Sequence, residues 1–151
     1  MNKSTSIGKL VKKALIDHKQ NDMNSALINI MPAIDSTANK EYGGGVGHRI
    51  RSFIRKNEAL ISIIALGRFV ILPKFRYPGK TKSVDFADII YDNIRTYIVH
   101  EGEVGEMIEF NHEKKLAISL TKWSLNENYV LAFILCVIVS DKNANEFIAE
   151  D

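Results

Sequence analysis

One cysteine, three prolines and one tryptophan in 151 residues leave this chain little covalent bracing and few helix breakers. Cys136 lies inside an apolar run and has no second cysteine to pair with, so a reducing, cytoplasmic home is the simple reading. A buried, inert thiol is favoured there over a nucleophile. The longest apolar run, Tyr129 to Val139, is 11 residues, against the roughly 20 that a spanning helix needs. The opening residues, Met1 to Ser6, pass into a charged amphipathic pattern without the apolar core of a signal peptide. A soluble protein with no membrane partner is expected. Internal repeats, low-complexity tracts and linkers are also missing, so residues 1–151 read as a single domain. The composition, 46% hydrophobic and 25% charged, is that of an ordinary globular protein. A chain of this length can bury roughly 70% of its unfolded surface.

The net charge of +2 conceals a strong polarity. Through Lys82 there are 15 Lys and Arg against 5 Asp and Glu, and from Ser83 onward there are 5 against 13. Such an imbalance can guide a polyanion to one side of the molecule or let opposite faces of two subunits attract; two solvated faces are the plainer reading.

Periodicity supplies the elements. Ile7, Leu10, Val11, Ala14 and Leu15 follow the spacing of a surface helix ending near His18, which can serve as a dipole partner. A second helix follows Asn21 or Asp22 as N-cap, with Met23, Ala26, Leu27, Ile30, Met31 and Ile34 on one stripe and Pro32 expected to kink it. Asp35 is either a solvent-facing residue or a polar support for a site on a neighbouring helix. The glycines of Tyr42 to Arg49 suggest a phosphate loop, but no strand precedes them and no Gly-Lys-Ser/Thr follows, so a flexible connection is expected. From Gly47 to Lys56, Ile50, Phe53 and Ile54 face inward while Arg49, Arg51 and Arg55 form a cationic surface, open to RNA backbone, an acidic partner or water. Glu58 to Leu66 reads as a further buried helical segment. Phe69 to Leu72 is ambiguous between strand and helix end. The loop Lys74 to Lys82 interleaves Lys74, Arg76, Lys80 and Lys82 with Phe75 and Tyr77. Unpaired bases and phosphates suit that mixture, and so does a loop anchored on the core by its aromatics.

The next helix spans 83–99, with Ser83 as N-cap, Asp85 in its first turn, and Phe86, Ile89, Ile90, Ile94 and Ile98 on its buried face. Gly102 is its stop. Arg95 and His100 occupy its last turns. Five residues amount to about 500° of rotation and 7.5 Å of rise, roughly 140° from a shared face. Beyond Gly102, Met107–Phe110 and Leu116–Leu120 read as the strands of a small β-hairpin, anchored by Trp123. Asn126 then caps a last helix, apolar all round, that runs to Val139. The acids Glu101, Glu103, Glu106 and Glu109 with His112 lack the fixed helical offset of a metal site, so neither a metal nor another cofactor is expected.

The pattern Arg95-x-x-x-x-His100, closing an apolar helix and followed by Glu101-Gly102, resembles the signature of the HEPN superfamily of small helical proteins. The segment Ala26 to Ala38 is similar to the early helix of one branch, in which a short β excursion follows the motif helix. Where members often carry Asn, Asp or His after the arginine, this chain has Thr96. The resemblance implies a mainly α, single-domain helical bundle with a small β-hairpin after the motif helix. It further implies a metal-independent endoribonuclease whose subunits meet at their motif helices as a homodimer, each pair contributing two Arg95 and two His100 to one composite site. A role in a toxin or defence system, with an antitoxin or other protein partner, is compatible with it. Histidine titrates near neutrality and can take a proton from a ribose 2′-OH or give one to the leaving 5′-oxygen. Arginine stays charged and grips phosphate bidentately. Glu101, Thr96 and Asp92 are the supporting candidates, Glu101 as the neighbour that would orient His100. Against this stands a packing role, with Arg95 paired to Asp92 or Asp88 and His100 satisfying helix-end carbonyls. A non-catalytic module that binds RNA, nucleotides or a protein is the alternative.

Overall fold

The computed structural model describes residues 5–146. The element order is α1 (Ser6–Lys19), α2 (Met23–Glu41), α3 (Val46–Leu66), α4 (Phe86–Ile90), a π-helical turn (Tyr91–Arg95), α5 (Thr96–Glu101), β1 (Ile108–Asn111), β2 (Leu116–Ile118), β3 (Trp123–Asn126) and α6 (Asn128–Val139), closed by a 3₁₀ turn at Asp141–Asn143. It is a mainly helical single domain with a small mixed sheet after the motif helix.

Local chemistry starts and stops the helices. Thr5 caps α1 by accepting from the Gly8 amide at 3.0 Å, and Asp22 caps α2 by accepting from Ser25 at 3.1 Å. Pro32 does not interrupt α2, which runs on to Glu41 with the proline on an exposed face. The two helical segments expected from 47–56 and 58–66 are one helix, α3. Between them Asn57 stays helical and turns its side-chain amide back to the Phe53 carbonyl, donating at 2.9 Å. Gly67 ends α3 at φ 73°, a left-handed position that suits glycine. Phe69–Leu72, ambiguous in the sequence, belongs to no regular element.

The core lies where α2, α3 and α6 meet. Ala132, Phe133, Ile134, Cys136 and Val137 of α6 are buried, as its apolar sequence requires. The motif helix packs on α3 and buries Phe86, Ile90 and Ile94, with Phe86 against Tyr129 and Phe133 of α6. At the far end, Asn143 donates to both the Thr37 hydroxyl and the Val137 carbonyl, each at 2.9 Å, pinning the last turn to α2 and α6.

The sheet differs from the expected hairpin in its strand order, β1-β3-β2. The hairpin that forms joins β2 to β3, with Leu116 opposite Leu125 and Ile118 opposite Trp123, while β1 adds to the other side of β3 in parallel. Trp123 and Leu125 are fully buried, and the strand with most to bury takes the centre. Asn126 is accordingly the last residue of β3 rather than the helix N-cap, although its side chain still accepts from the Asn128 amide at 2.9 Å.

Candidate functional site at the end of the motif helix

The motif helix is built in three parts. Its N-cap is Asp85, not Ser83: Asp85 accepts from the Asp88 amide and Asp88 accepts from the Asp85 amide, both at 3.0 Å, a reciprocal capping box. Four turns of continuous helix follow, but Tyr91–Arg95 widens into a π turn, where the Thr96 amide reaches the Tyr91 carbonyl. Such single turns carry an extra residue and recur at functional sites. The chain beyond the helix returns to brace it. Gly105 donates to the Asn93 carbonyl at 2.9 Å, and a Cβ there would stand 2.7 Å from that oxygen and 3.0 Å from the Tyr97 ring.

Arg95 closes the π turn. Its guanidinium lies 3.5 Å from Asp35 of α2 and 5.6 Å from the centre of the Tyr91 ring, and its side chain is 18% exposed. Asp35 thus supports the motif from the neighbouring helix, the second of the two readings open to it. The packing partners considered for Arg95 in the sequence, Asp88 and Asp92, turn instead to α3. The other face of Tyr91's surroundings belongs to Arg51, whose guanidinium carbon stands 4.3 Å from the ring centre. Gly47 permits this approach, since a Cβ there would meet Arg51 at 2.7 Å and the tyrosine ring at 3.4 Å.

α5 carries Thr96, half-buried, and His100 and Glu101, both exposed. None of its six residues is buried. His100 has no hydrogen bond or ion pair among the described residues. Arg95 closes the π turn with right-handed helical dihedrals, φ -61° and ψ -48°, and the α-helix from Thr96 to Glu101 ends at Gly102, φ 74°. The offset of roughly 140° therefore stands. Within one chain the two motif residues do not share a face.

A ladder of charge holds this helix to α3. Arg55 reaches Asp85 at 2.7 and 3.3 Å and Asp88 at 3.2 Å; Arg51 lies 3.0 Å from Asp88 and 3.5 Å from Asp92. The Arg51 Nε contact is an ion pair without hydrogen-bond alignment. Two of the three arginines proposed for RNA backbone thus have acidic partners within the fold, and Arg49 folds back onto the Gly44 carbonyl. The signal was legible: arginines four apart on one helix face acids three and four apart on the next. Burial would raise the Asp85 carboxyl, but the hydrogen bond from Arg55 and the contacts of Asp88 outweigh it and hold it at about 2. At the neighbouring Glu58 the Leu72 amide and the Arg55 charge pull the same way but are outweighed. Burial, then the repulsion of Asp85, pushes its carboxyl above the ordinary range. It lines a crevice of about 10 Å³ with Ser62, Leu72 and Tyr129.

The cations of the loop before the helix, Lys74, Arg76, Lys80 and Lys82, are all exposed. Its aromatics are not. Phe75 stacks on Trp123 with centres 5.9 Å apart, and Tyr77 accepts from the indole at 2.5 Å. Amides and carbonyls of Phe75 and Val84 close the loop at 2.9 and 2.7 Å. The anchored-loop reading describes the aromatics, which are partly buried against Trp123. His112, weighed in the sequence with the acids after Gly102, pairs with Glu127 at 3.0 Å beside a separate cleft of about 270 Å³ that includes Asp22 and Phe110. Neither concavity is lined by Arg95 or His100. No helix of the described residues is long and apolar enough to cross a membrane.

Fold and site together define a small, mainly α domain that presents a histidine on the protruding end of an arginine-bearing helix. The sequence profile of the Rv1289 family matches residues 6–151, and the chain belongs to that family. No curated protein and no solved structure matches the chain.

Proposed function

We propose that this protein is a metal-independent endoribonuclease of the HEPN kind, acting at a site shared between two subunits. The observation that carries the reading is the state of His100. A histidine kept for structure is normally packed or hydrogen-bonded, whereas this one stands exposed and unpartnered on a helical end with no buried residue. Arg95, half-buried and held by Asp35 and Tyr91, is the rigid cation of the pair.

In the proposed reaction His100 takes the proton of a ribose 2′-OH, whose oxygen attacks the adjoining phosphorus. The bond to the 5′-oxygen breaks, and that oxygen leaves with a proton from water, while the imidazolium of His100 returns its proton to the hydroxide so formed. A 2′,3′-cyclic phosphate and a 5′-OH result. Arg95 offsets the charge that builds on the phosphoryl oxygens. Because one chain sets Arg95 and His100 on different faces, a second subunit supplies the missing half, His100 of one copy serving a phosphate held by the other. General acid–base groups of this type contribute about 10²–10⁴-fold.

The alternative, a non-catalytic module that binds RNA, nucleotides or a protein, is favoured by a specific contact: the Arg95 guanidinium faces Asp35 rather than His100. Incubation with a mixed RNA pool in EDTA separates the two. Wild-type protein is expected to leave cyclic-phosphate ends and the His100→Ala protein none. Intact RNA after treatment with well-folded wild type would decide for the module.

A further inference from the structure

Two exposed apolar features flank the motif helix, and they carry opposite charge. From Ala59 to Val84 the sequence holds no acid and five cations, Arg68, Lys74, Arg76, Lys80 and Lys82, all of them exposed. In the same stretch Phe69 and Ile71 are 66% and 56% exposed. They alternate with Val70 and Leu72, which line the crevice beside Leu116. From Asp92 to Glu109 the balance reverses, with five acids and one arginine, itself engaged by Asp35. Here Tyr97 and Val99 are 41% and 57% exposed on a helical end that buries nothing. The cationic loop leads into the start of the motif helix and the acidic loop leaves its end, about 24 Å apart along the axis.

We propose that a second copy of this chain docks head to tail, the acidic helical end of one copy, with Tyr97 and Val99, seated on the cationic strip around Phe69 and Ile71 of the next. Each face has what an interface needs, apolar anchors inside a charged rim, and the rims are complementary. A twofold pairing of motif helices would instead set Glu101, Glu103 and Glu106 of both copies near one another, a like-charge arrangement. Phe69–Leu72 also favours a protein over a lipid surface: it belongs to no helix or sheet, and such backbone is not left exposed in hydrocarbon. RNA is left to the test, since Phe69 offers a base a stacking face while Ile71 offers none. The contact is heterologous, so each copy keeps one free face of each kind and assembly proceeds to a ring or an open chain. It goes beyond the ribonuclease reading, because it sets the second copy's cationic strip, rather than its Arg95, beside His100. The association itself does not depend on cleavage.

The test is sedimentation of the full chain over a range of concentration and salt, with two paired charge reversals. Arg68→Glu with Lys74→Glu inverts the strip; Glu103→Lys with Glu106→Lys inverts the helical end. None of these four side chains makes an ion pair or side-chain hydrogen bond among the described residues, so both variants should keep the wild-type circular dichroism. Wild type is expected to exceed dimer mass with rising concentration and to dissociate in high salt. Each variant alone should stay monomeric, and an equimolar mixture should regain mass, because each supplies the face the other lacks. A wild type that is monomeric throughout, a dimer indifferent to both reversals, or no recovery on mixing would overturn the proposal. So would capture of single-stranded RNA or phosphatidylglycerol vesicles by the strip of a protein that remains monomeric. Charge-dependent assembly without RNA cleavage would uphold the contact and remove the nuclease reading alone.

Discussion

Asp35 and Arg95 show how a residue's role depends on what stands opposite it. The pair is loose, at 3.5 Å, and partly exposed, and ion pairs of that kind contribute about 0–1 kcal/mol. Asp35→Asn should therefore leave the melting temperature almost unchanged while lowering RNA cleavage, because it frees the guanidinium that it now aims. Equal loss of both would make the contact structural. Asp85 differs, since it caps a helix and binds Arg55 at once. Asp85→Asn should cost about 1–3 kcal/mol in urea unfolding, through the lost cap and the stranded guanidinium. Two of the perturbed carboxyls, both beside the motif helix, shape the pH dependence in opposite directions. Asp85 titrates lower when folded, so its stabilisation is present above the unfolded value near 3.8 and is lost as pH falls toward about 2. Glu58 titrates higher when folded, so it opposes folding at neutral pH and ceases to do so as it protonates. Stability should thus rise modestly on mild acidification and fall below pH 4. Glu58→Gln should raise stability at neutral pH and abolish the rise; a variant with the wild-type profile would contradict this.

At the scale of elements, the helices could be read from apolar spacing because each buries one stripe, and Asp22 and Gly102 are ends that residue type announces. The N-cap at Asp85 was obscured by Ser83, two residues earlier and of equal propensity, and only the reciprocal bonds with Asp88 decide between them. β3 escaped notice because Trp-Ser-Leu-Asn is four residues with two apolar side chains, a pattern set by the sheet around it rather than by its own sequence. The π turn has no sequence signal we can name. Its consequence is nonetheless specific: Gly105 must approach the Asn93 carbonyl more closely than any Cβ allows. Gly105→Ala should destabilise by about 1–3 kcal/mol, as other overpacking changes do. Chemical denaturation measures it, and a loss under 0.5 kcal/mol, within the ordinary range of surface substitutions, would show that the returning loop can yield.

For the molecule as a whole, the sequence's division into a basic first part and an acidic second part survives folding only in part. Arg51 and Arg55 are spent against Asp85, Asp88 and Asp92, which clamps the motif helix to α3. The loops before and after that helix keep exposed charge of opposite sign, and α1 keeps its own lysines on the surface. The candidate site was legible as far as its two residues and their angular offset, since both follow from helical geometry. Asp35 was open only as one of two readings, because it meets Arg95 across the fold, and Tyr91, four residues before Arg95 on the same helix, went unremarked among the apolar positions around it. The measurement that bears most directly on the account is thermal unfolding and RNA cleavage in EDTA on the same preparations of wild type, Arg95→Ala and His100→Ala. We predict cleavage by wild type alone, with His100→Ala melting within a degree or two of wild type. Unchanged cleavage by His100→Ala, or a large drop in its melting temperature, would contradict a working site and assign the motif to the architecture of the fold.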